Sequence, residues 1–311
     1  MKPLEQALND YVSVRRSLGF RFQTPAILLR SFVVFLQAEG ISHITRELAL
    51  RWALQPAKVQ PSTWTARLGM VRRFAIWCSA TEPLTEIPLT DLLPHPYRRK
   101  PPHIFSDEEI ERLLRKAQQL PSPKGLRTHT FTTLFGLLMV TGMRVSEALG
   151  LEKPDIDFDH GILHIRCGKF GKSRYVPIHP STVEALKKYA QARDHLFPSP
   201  LTLAFFLSER GTRITNGMTE YTFAKLSQQI GLRLQAKHHG RGPRLHDMRH
   251  RFAARTLIDW YRAGLDAERE LPKLATYLGH VHVKNTYWYL EAVPELMQLA
   301  IDRLIQREAQ P

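Results

Sequence analysis

The side chains of this chain best suited to chemistry on an anion sit in four short motifs. Arg144 follows Thr141-Gly142-Met143 at the expected start of a helix. Free backbone N–H groups and the helix dipole already favour negative charge at such a place. A guanidinium there can fork two N–H donors onto phosphate oxygens. Lys169 and Lys172 lie in the turn Gly168-Lys169-Phe170-Gly171-Lys172. A lysine on a hairpin tip can reach into a DNA groove or donate a proton. In His246-Asp247-Met248-Arg249-His250, His246 and Arg249 are three apart, share a helix face and would point at one target. Imidazole beside guanidinium suits a phosphate better than a metal, because the arginine repels a cation. Leu278-Gly279-His280 is followed nine residues later by Tyr289, with Tyr287 and Trp288 next to it. Taken singly, each motif also has an ordinary reading: a surface arginine after a turn, a solvated turn charge, a surface His–Arg pair, an aromatic core stripe.

No metal and no cofactor are expected. Asp155-x-Asp157-x-Asp159 begins like a calcium loop, but the sixth position is His160 instead of Gly and the twelfth is Arg166 instead of Glu. On a strand these carboxylates alternate with Ile156 and Phe158 and form one solvated face. His238, His239, His246 and His250 have no cysteine among them and enclose Arg249. The lead-in Lys237-His238-His239-Gly240-Arg241 reads as a basic loop, with Arg241 a candidate DNA contact.

The elements that must position these residues follow from periodicity. Apolar residues at helical spacing predict helices over Pro3–Leu18, Pro25–Glu39, Thr45–Leu54 and Ser62–Ala80. Ser106 with Glu109 three residues on predicts a capping-box start, and Phe131–Val140 a buried helix. The period then changes to two. Asp155–Arg166 and Arg174–Ile178 read as strands joined by the basic turn into a hairpin. From Ser181 onward the chain is again mostly helical. The fold class is therefore mainly α with a small antiparallel β-sheet (α+β). Six prolines between residues 83 and 103, with Arg98-Arg99-Lys100, mark a linker, drawn at 96–103. It separates a helical domain, 1–95, from a second domain, 104–311.

Charge names the partner class. The 311 residues hold 44 Lys plus Arg against 29 Asp plus Glu, a formal net charge of +15. Residues 1–100 carry 14 basic and 7 acidic side chains, so +7 lies in the first hundred residues and +8 in the rest. A basic excess on both domains favours a polyanion, nucleic acid before an anionic membrane surface. No apolar run reaches the roughly 18–20 residues of a membrane helix, and the opening MKPLEQALND has no apolar core. Two cysteines, Cys78 and Cys167, cannot build a disulfide framework. A soluble cytoplasmic protein is expected.

The order Arg, Lys, His-x-x-Arg, Gly-His and Tyr over 146 residues, behind a basic helical domain, resembles the tyrosine recombinase (phage-type integrase) family, closest to its Xer-like and transposon-borne members. The segments TGMRVSEALGL, GKFGKSRYVPI, HDMRHRFA and LGHVHVKNTYWY carry the resemblance. It implies an N-terminal helical core-binding (SAM-like) domain and a recombinase catalytic domain. It implies catalytic roles for Arg144, Lys169, His246, Arg249 and His280, and a nucleophile at Tyr289. It implies DNA breakage and rejoining through a 3′-phosphotyrosyl bond without metal, in integration, excision, resolution or transposition. Arg15, Arg16, Arg72, Arg73, Arg98, Arg99, Lys100, Lys172, Arg174 and Arg241 are the candidate DNA contacts. The two domains would clamp a duplex, and a homotetramer would form on two DNA sites, with accessory or partner recombinases and a monomer as the free form. The family commonly has Ser-Thr where this chain has Val281-His282-Val283-Lys284, which leaves Tyr287 as a competing nucleophile. Two other functions share the pattern: a DNA-binding relative inactive on its own, and an enzyme that relaxes DNA as a type IB topoisomerase does.

Overall fold

The computed structural model describes residues 3–93, 101–166, 173–234, 242–280, 282, 286, 295–298 and 301. The chain divides into two compact units, 1–100 and 101–311.

The first unit is built from α1 (Leu4–Ser17), α2 (Gln23–Ala38), α3 (Arg46–Leu54) and α4 (Pro61–Cys78). Local chemistry sets their ends. Gly19 and Gly40 take left-handed φ just past α1 and α2. The Thr45 hydroxyl accepts the Leu48 N–H at the start of α3, and Pro61 occupies the first turn of α4. The apolar stripes meet in one core around Leu8, Phe32, Leu36, Trp52, Val71 and Phe74. Trp52 packs edge-on against Phe32 with ring centroids 5.2 Å apart, and the Arg67 guanidinium covers its other side at 3.6 Å. The proline-rich stretch starts inside this unit: Glu86 accepts the Arg46 N–H at 2.7 Å and donates its own N–H to Ile44. Residues 83–93 therefore belong to the packed helices, and the linker composition begins earlier than the linker.

The second unit holds α5 (Asp107–Ala117), α6 (Leu126–Thr141), α7 (Val145–Gly150), α8 (Pro180–Leu196), α9 (Asn216–Gln229), α10 (Leu245–Arg262) and α11 (Ala267–Leu278). The Ser106–Glu109 capping box forms as the sequence predicts. The apolar α6 runs through the centre, with Leu134, Phe135 and Leu138 buried and α5, α8 and α10 packed around it. A second cluster, around Leu257, Leu271, Leu274 and Leu278, glues α10 to α11. The sheet is antiparallel in the order β1 (Ile156–Asp157), β2 (Ile162–Ile165), β3 (Arg174–Pro177). Leu163 pairs with Val176 and faces the core, whereas His164 stacks on Tyr175 on the other face at 4.8 Å. The protein is mainly α with a small antiparallel sheet.

One expected strand is broken. Residues 155–166 form a tight hairpin preceded by a 3-10 turn, Lys153–Asp155. Asp155 is buried, accepts the Glu152 N–H and pairs with Arg166 Nε at 2.6 Å. Asp157 accepts the N–H groups of Asp159 and His160 and bends the chain. Asx side chains compete with the ladder for backbone donors, and two of them, Asp155 and Asp157, win here. The carboxylates do not form one solvated face.

Among the described residues no helix is long and apolar enough to cross a membrane.

Candidate active site

Two helices of the second unit start with the same device. Arg144 is the N-cap of α7, and the buried Glu147 carboxylate three residues on accepts both the Arg144 N–H at 2.9 Å and its Nη1 at 2.7 Å. Arg244 is the N-cap of α10, and the buried Asp247 accepts the Arg244 N–H at 2.8 Å and its Nη2 at 3.1 Å. An acid at N3 satisfies an orphan donor of the first turn and fixes the arginine in the same step. His246 and Arg249 follow on the α10 turn so anchored.

The C-terminal end of α11 is the hub. Its last carbonyls have no partners within the helix, and the dipole makes this end negative. Three arginines from three elements supply donors to three consecutive residues. Arg174 Nε reaches Tyr277 O at 2.8 Å, Arg249 Nη2 reaches Leu278 O at 2.7 Å, and Arg144 Nη2 reaches Gly279 O at 3.0 Å. Arg249 is only 2% exposed and also donates to Gly142 O at 2.8 Å. His280 continues directly from this row, with Nδ1 2.8 Å from the hydroxyl of buried Thr286. The four residues Arg144, His246, Arg249 and His280, drawn from three separate motifs, thus come together.

The electrostatics follow from that crowding. Burial, then Arg249, and further Arg244 and Arg144, hold His246 down to about 4 against the pull of Asp247. His246 keeps an exposed edge all the same. Burial and the guanidinium groups of Arg249 and Arg144, with His246 and Arg174 behind them, hold His280 down to about 3. Both rings are neutral at pH 7. Burial pushes Glu147 upward, but Arg174 and Arg144 outweigh it and leave the carboxyl at about 2. Arg144 is 19% exposed and stands at the rim of the group.

Two glycines make the close approach. Gly142 has φ +58°, and a Cβ there would stand 2.5 Å from the Phe252 ring. Gly279 has φ +67°, and a Cβ there would stand 2.8 Å from Arg174 Nη1. Gly279→Ala is expected to displace the Arg174 fork and lower thermal stability by about 1–3 kcal/mol from backbone strain alone. Calorimetry on the full chain measures it. A Tm equal to that of the parent would mean the turn adapts freely.

The structure leaves several expected site residues outside the described ones: Lys169, Lys172, Tyr287, Tyr289, Arg98, Arg99, Lys100 and Arg241. Arg16 and Arg73 are exposed on α1 and α4. Arg72 is half-buried and donates to Pro88 O. Arg15 is half-buried with its guanidinium over Phe20. Arg174, expected among the DNA contacts, instead turns inward onto Glu147 and the end of α11, because Ile165 and Arg174 pair on the core-facing register of the sheet. Glu147, Arg244 and Asp247 were not singled out from sequence. The signal was present as Arg-x-x-Glu at 144–147 and Arg-x-x-Asp at 244–247, an N-cap with an acid at N3. Among the described residues no group of three or more His, Cys, Asp or Glu could hold a metal ion.

Guanidinium groups and imidazoles from separate motifs thus gather at one helix end on a mainly helical scaffold. Residues 104–295 match the Phage integrase family. The chain is 47% identical over 311 residues to a Sinorhizobium fredii protein named as an integrase/recombinase, y4rB, covering 99% of this chain and 98% of that one. It is 28% identical to the tyrosine recombinase XerC of Neisseria meningitidis serogroup C over 81% of this chain and 75% of the other. The Tn1549 transposon integrase, solved in complex with transposon right-end DNA, has the same fold: TM-score 0.66 and 17% identity, covering 96% of this chain and 99% of that one. So has the XerH site-specific recombinase bound to its difH substrate, with TM-score 0.65 and 18% identity over 89% and 77%. The chain belongs to the phage integrase family and is a tyrosine recombinase.

Proposed function

We propose that this enzyme is a site-specific DNA recombinase that cleaves and rejoins strands through Tyr289. The observation that carries the reading is the meeting of Arg144, Arg249, His246 and His280 at the end of α11. The Tyr289 oxygen attacks a phosphodiester phosphorus, its proton passing to the neutral His246. A 3′-phosphotyrosyl bond forms and the bond to the 5′-oxygen breaks. Lys169 supplies the proton that the leaving 5′-oxygen takes. Attack by a 5′-hydroxyl of another strand reverses these steps on a new partner, so the bond energy is conserved. Arg144 and Arg249 hold positive charge where the transition state gathers negative charge, and His280 donates to a non-bridging oxygen. No step calls on a metal or a cofactor.

The first unit reads as the core-binding domain, and 96–103 as the linker that lets both domains contact one duplex. Arg73 and Arg16 present exposed charge for phosphates. The DNA-bound relatives support a duplex partner, and a homotetramer on two sites follows from the family reading. The site of action is the cytoplasm, where the DNA lies.

Covalent trapping tests the proposal. The enzyme is incubated with sheared DNA of its source and stopped with SDS, and the ends of the linked fragments are sequenced. Tyr289→Phe and Tyr287→Phe run in parallel. Adducts lost only in Tyr289→Phe, with one shared junction, are the expected result. Random junctions would indicate a topoisomerase, and binding without adducts a DNA-binding protein.

Acid lability follows from the histidines. Their folded-state values lie near 4 and 3, below the ordinary 6.5. The unfolded chain therefore binds more protons between pH 6.5 and about 4, and stability falls as pH drops through that window. The Tm should decline from pH 7 to pH 5, and His280→Phe should flatten the decline. An equal decline in both proteins would place its origin elsewhere.

A further inference from the structure

Arg174 has no part in the roles above, yet it is among the best-held polar side chains of the site. It opens β3, five residues after Lys169. Its Nη1 and Nη2 donate to the two Glu147 oxygens at 3.0 and 2.8 Å, a bidentate fork, and its Nε donates to Tyr277 O. It is 12% exposed, against 2% for the Glu147 side chain. The same carboxylate holds the Arg144 N–H and Nη1. One guanidinium therefore joins three parts: the hairpin that carries Lys169, the carboxylate that orients Arg144, and the helix end that receives Arg249 and leads into His280. Gly279 leaves the room for it.

We propose that Arg174 is a positioning residue for strand cleavage. Its fork fixes the Glu147 carboxylate, which fixes the Arg144 guanidinium, and it sets the β-hairpin in register with that guanidinium. The proposal rests on the recombinase reading above. Two parallel bonds and a third from Nε need a planar fork. An ammonium at the same place is a point charge with no fixed plane and cannot reproduce them. Without the fork, the Glu147 carboxylate is held only from the Arg144 side and can rotate. Arg144 then samples geometries away from the phosphate, and misplacements of about 1 Å cost as much as 10²-fold in rate.

The test separates positioning from DNA contact. Arg174→Gln, Arg174→Lys, Glu147→Gln and the double variant Arg174→Gln/Glu147→Gln are compared with the parent on a nicked duplex built from the trapped junction. Single-turnover adduct formation at saturating DNA gives the cleavage rate, and filter binding gives affinity. The expected result is a cleavage rate about 10–100-fold lower in Arg174→Gln, no rescue by Lys, and affinity close to that of the parent. The double variant should be no slower than Glu147→Gln, since both act on one chain of contacts. An unchanged rate overturns the proposal. So does weakened binding with a normal rate at saturation, which would make Arg174 a DNA contact, and so does an independent, multiplied effect in the double variant. A second measurement needs no cleavage: the ¹⁵N–¹H signal of the Arg144 Nε in arginine-labelled protein without DNA. It should broaden or shift in Arg174→Gln, and an unaltered signal overturns the proposal. If the parent itself forms no adduct, the recombinase reading falls, and the Arg144 signal still decides the role of Arg174.

Discussion

Arg249→Lys is expected to slow strand cleavage by roughly 10²–10³-fold, the cost typical of losing one preorganised donor to developing charge. The residue is buried and bridges two carbonyls, Gly142 O and Leu278 O, that belong to separate motifs. A lysine ammonium keeps the charge but has no fork with which to span both. One carbonyl then loses its donor, and an unsatisfied buried acceptor costs about 1–3 kcal/mol. DNA affinity should change little, because binding to a duplex sums over many phosphate contacts. Rapid-quench cleavage on prebound DNA, paired with a salt titration of binding, separates the two. Parallel losses of affinity and rate would show that Arg249 acts in binding, and the site assignment would need revision.

Glu147→Ala should be the most destabilising single change in the site. Its carboxylate answers two guanidinium groups at once, and removal leaves both Arg144 and Arg174 without their counter-charge. Breaking a buried pair from one side costs about 3–5 kcal/mol. A domain of this size loses roughly 2–4 °C of Tm per kcal/mol, so a fall of about 6–20 °C is expected. Differential scanning calorimetry should place the loss in the transition of the second unit. The pH dependence gives an independent check. The folded Glu147 sits at about 2, below its ordinary 4.5, so its stabilisation is complete above pH 4.5 and fades as pH falls toward 2. Glu147→Ala removes that share of the acid sensitivity. A variant with unchanged Tm would mean that water or solvent anions replace the carboxylate without cost.

The elements were largely legible because their signals are local. The capping box at Ser106, the glycine stops at Gly19 and Gly40, and the apolar run of α6 each act within a few residues. The strand over 155–166 was misread because alternation is only a pattern. It says nothing about Asp155 and Asp157 capturing nearby backbone donors and breaking the ladder. In the site, Arg144, His246, Arg249 and His280 were legible from motif order, and the structure brings them together. Arg174, a candidate DNA contact by its neighbourhood, is turned inward by the register of its strand. A basic residue next to a lysine-rich turn looks like a phosphate contact until the register places it opposite Ile165, facing a buried acid. Glu147 shows in the sequence only as the acid of Arg-x-x-Glu, the pattern of a helix cap. It is that, and the counter-ion of two arginines as well.

The row of carbonyls at the end of α11 works as a covalent ruler. Arg174, Arg249 and Arg144 hang from residues 277, 278 and 279 in turn. Neighbouring Cα atoms are about 3.8 Å apart whatever the side chains. The order of the three cations along this helix end is thus set by main-chain acceptors, which side-chain substitution leaves in place. An alanine scan across Tyr277 and Leu278 would leave every acceptor in place and report only the packing lost from the α10–α11 cluster. The gauge that sets the arginines carries no side-chain signature of its own, and substitutions that bend the main chain, such as those at Gly279, are the ones that would move it.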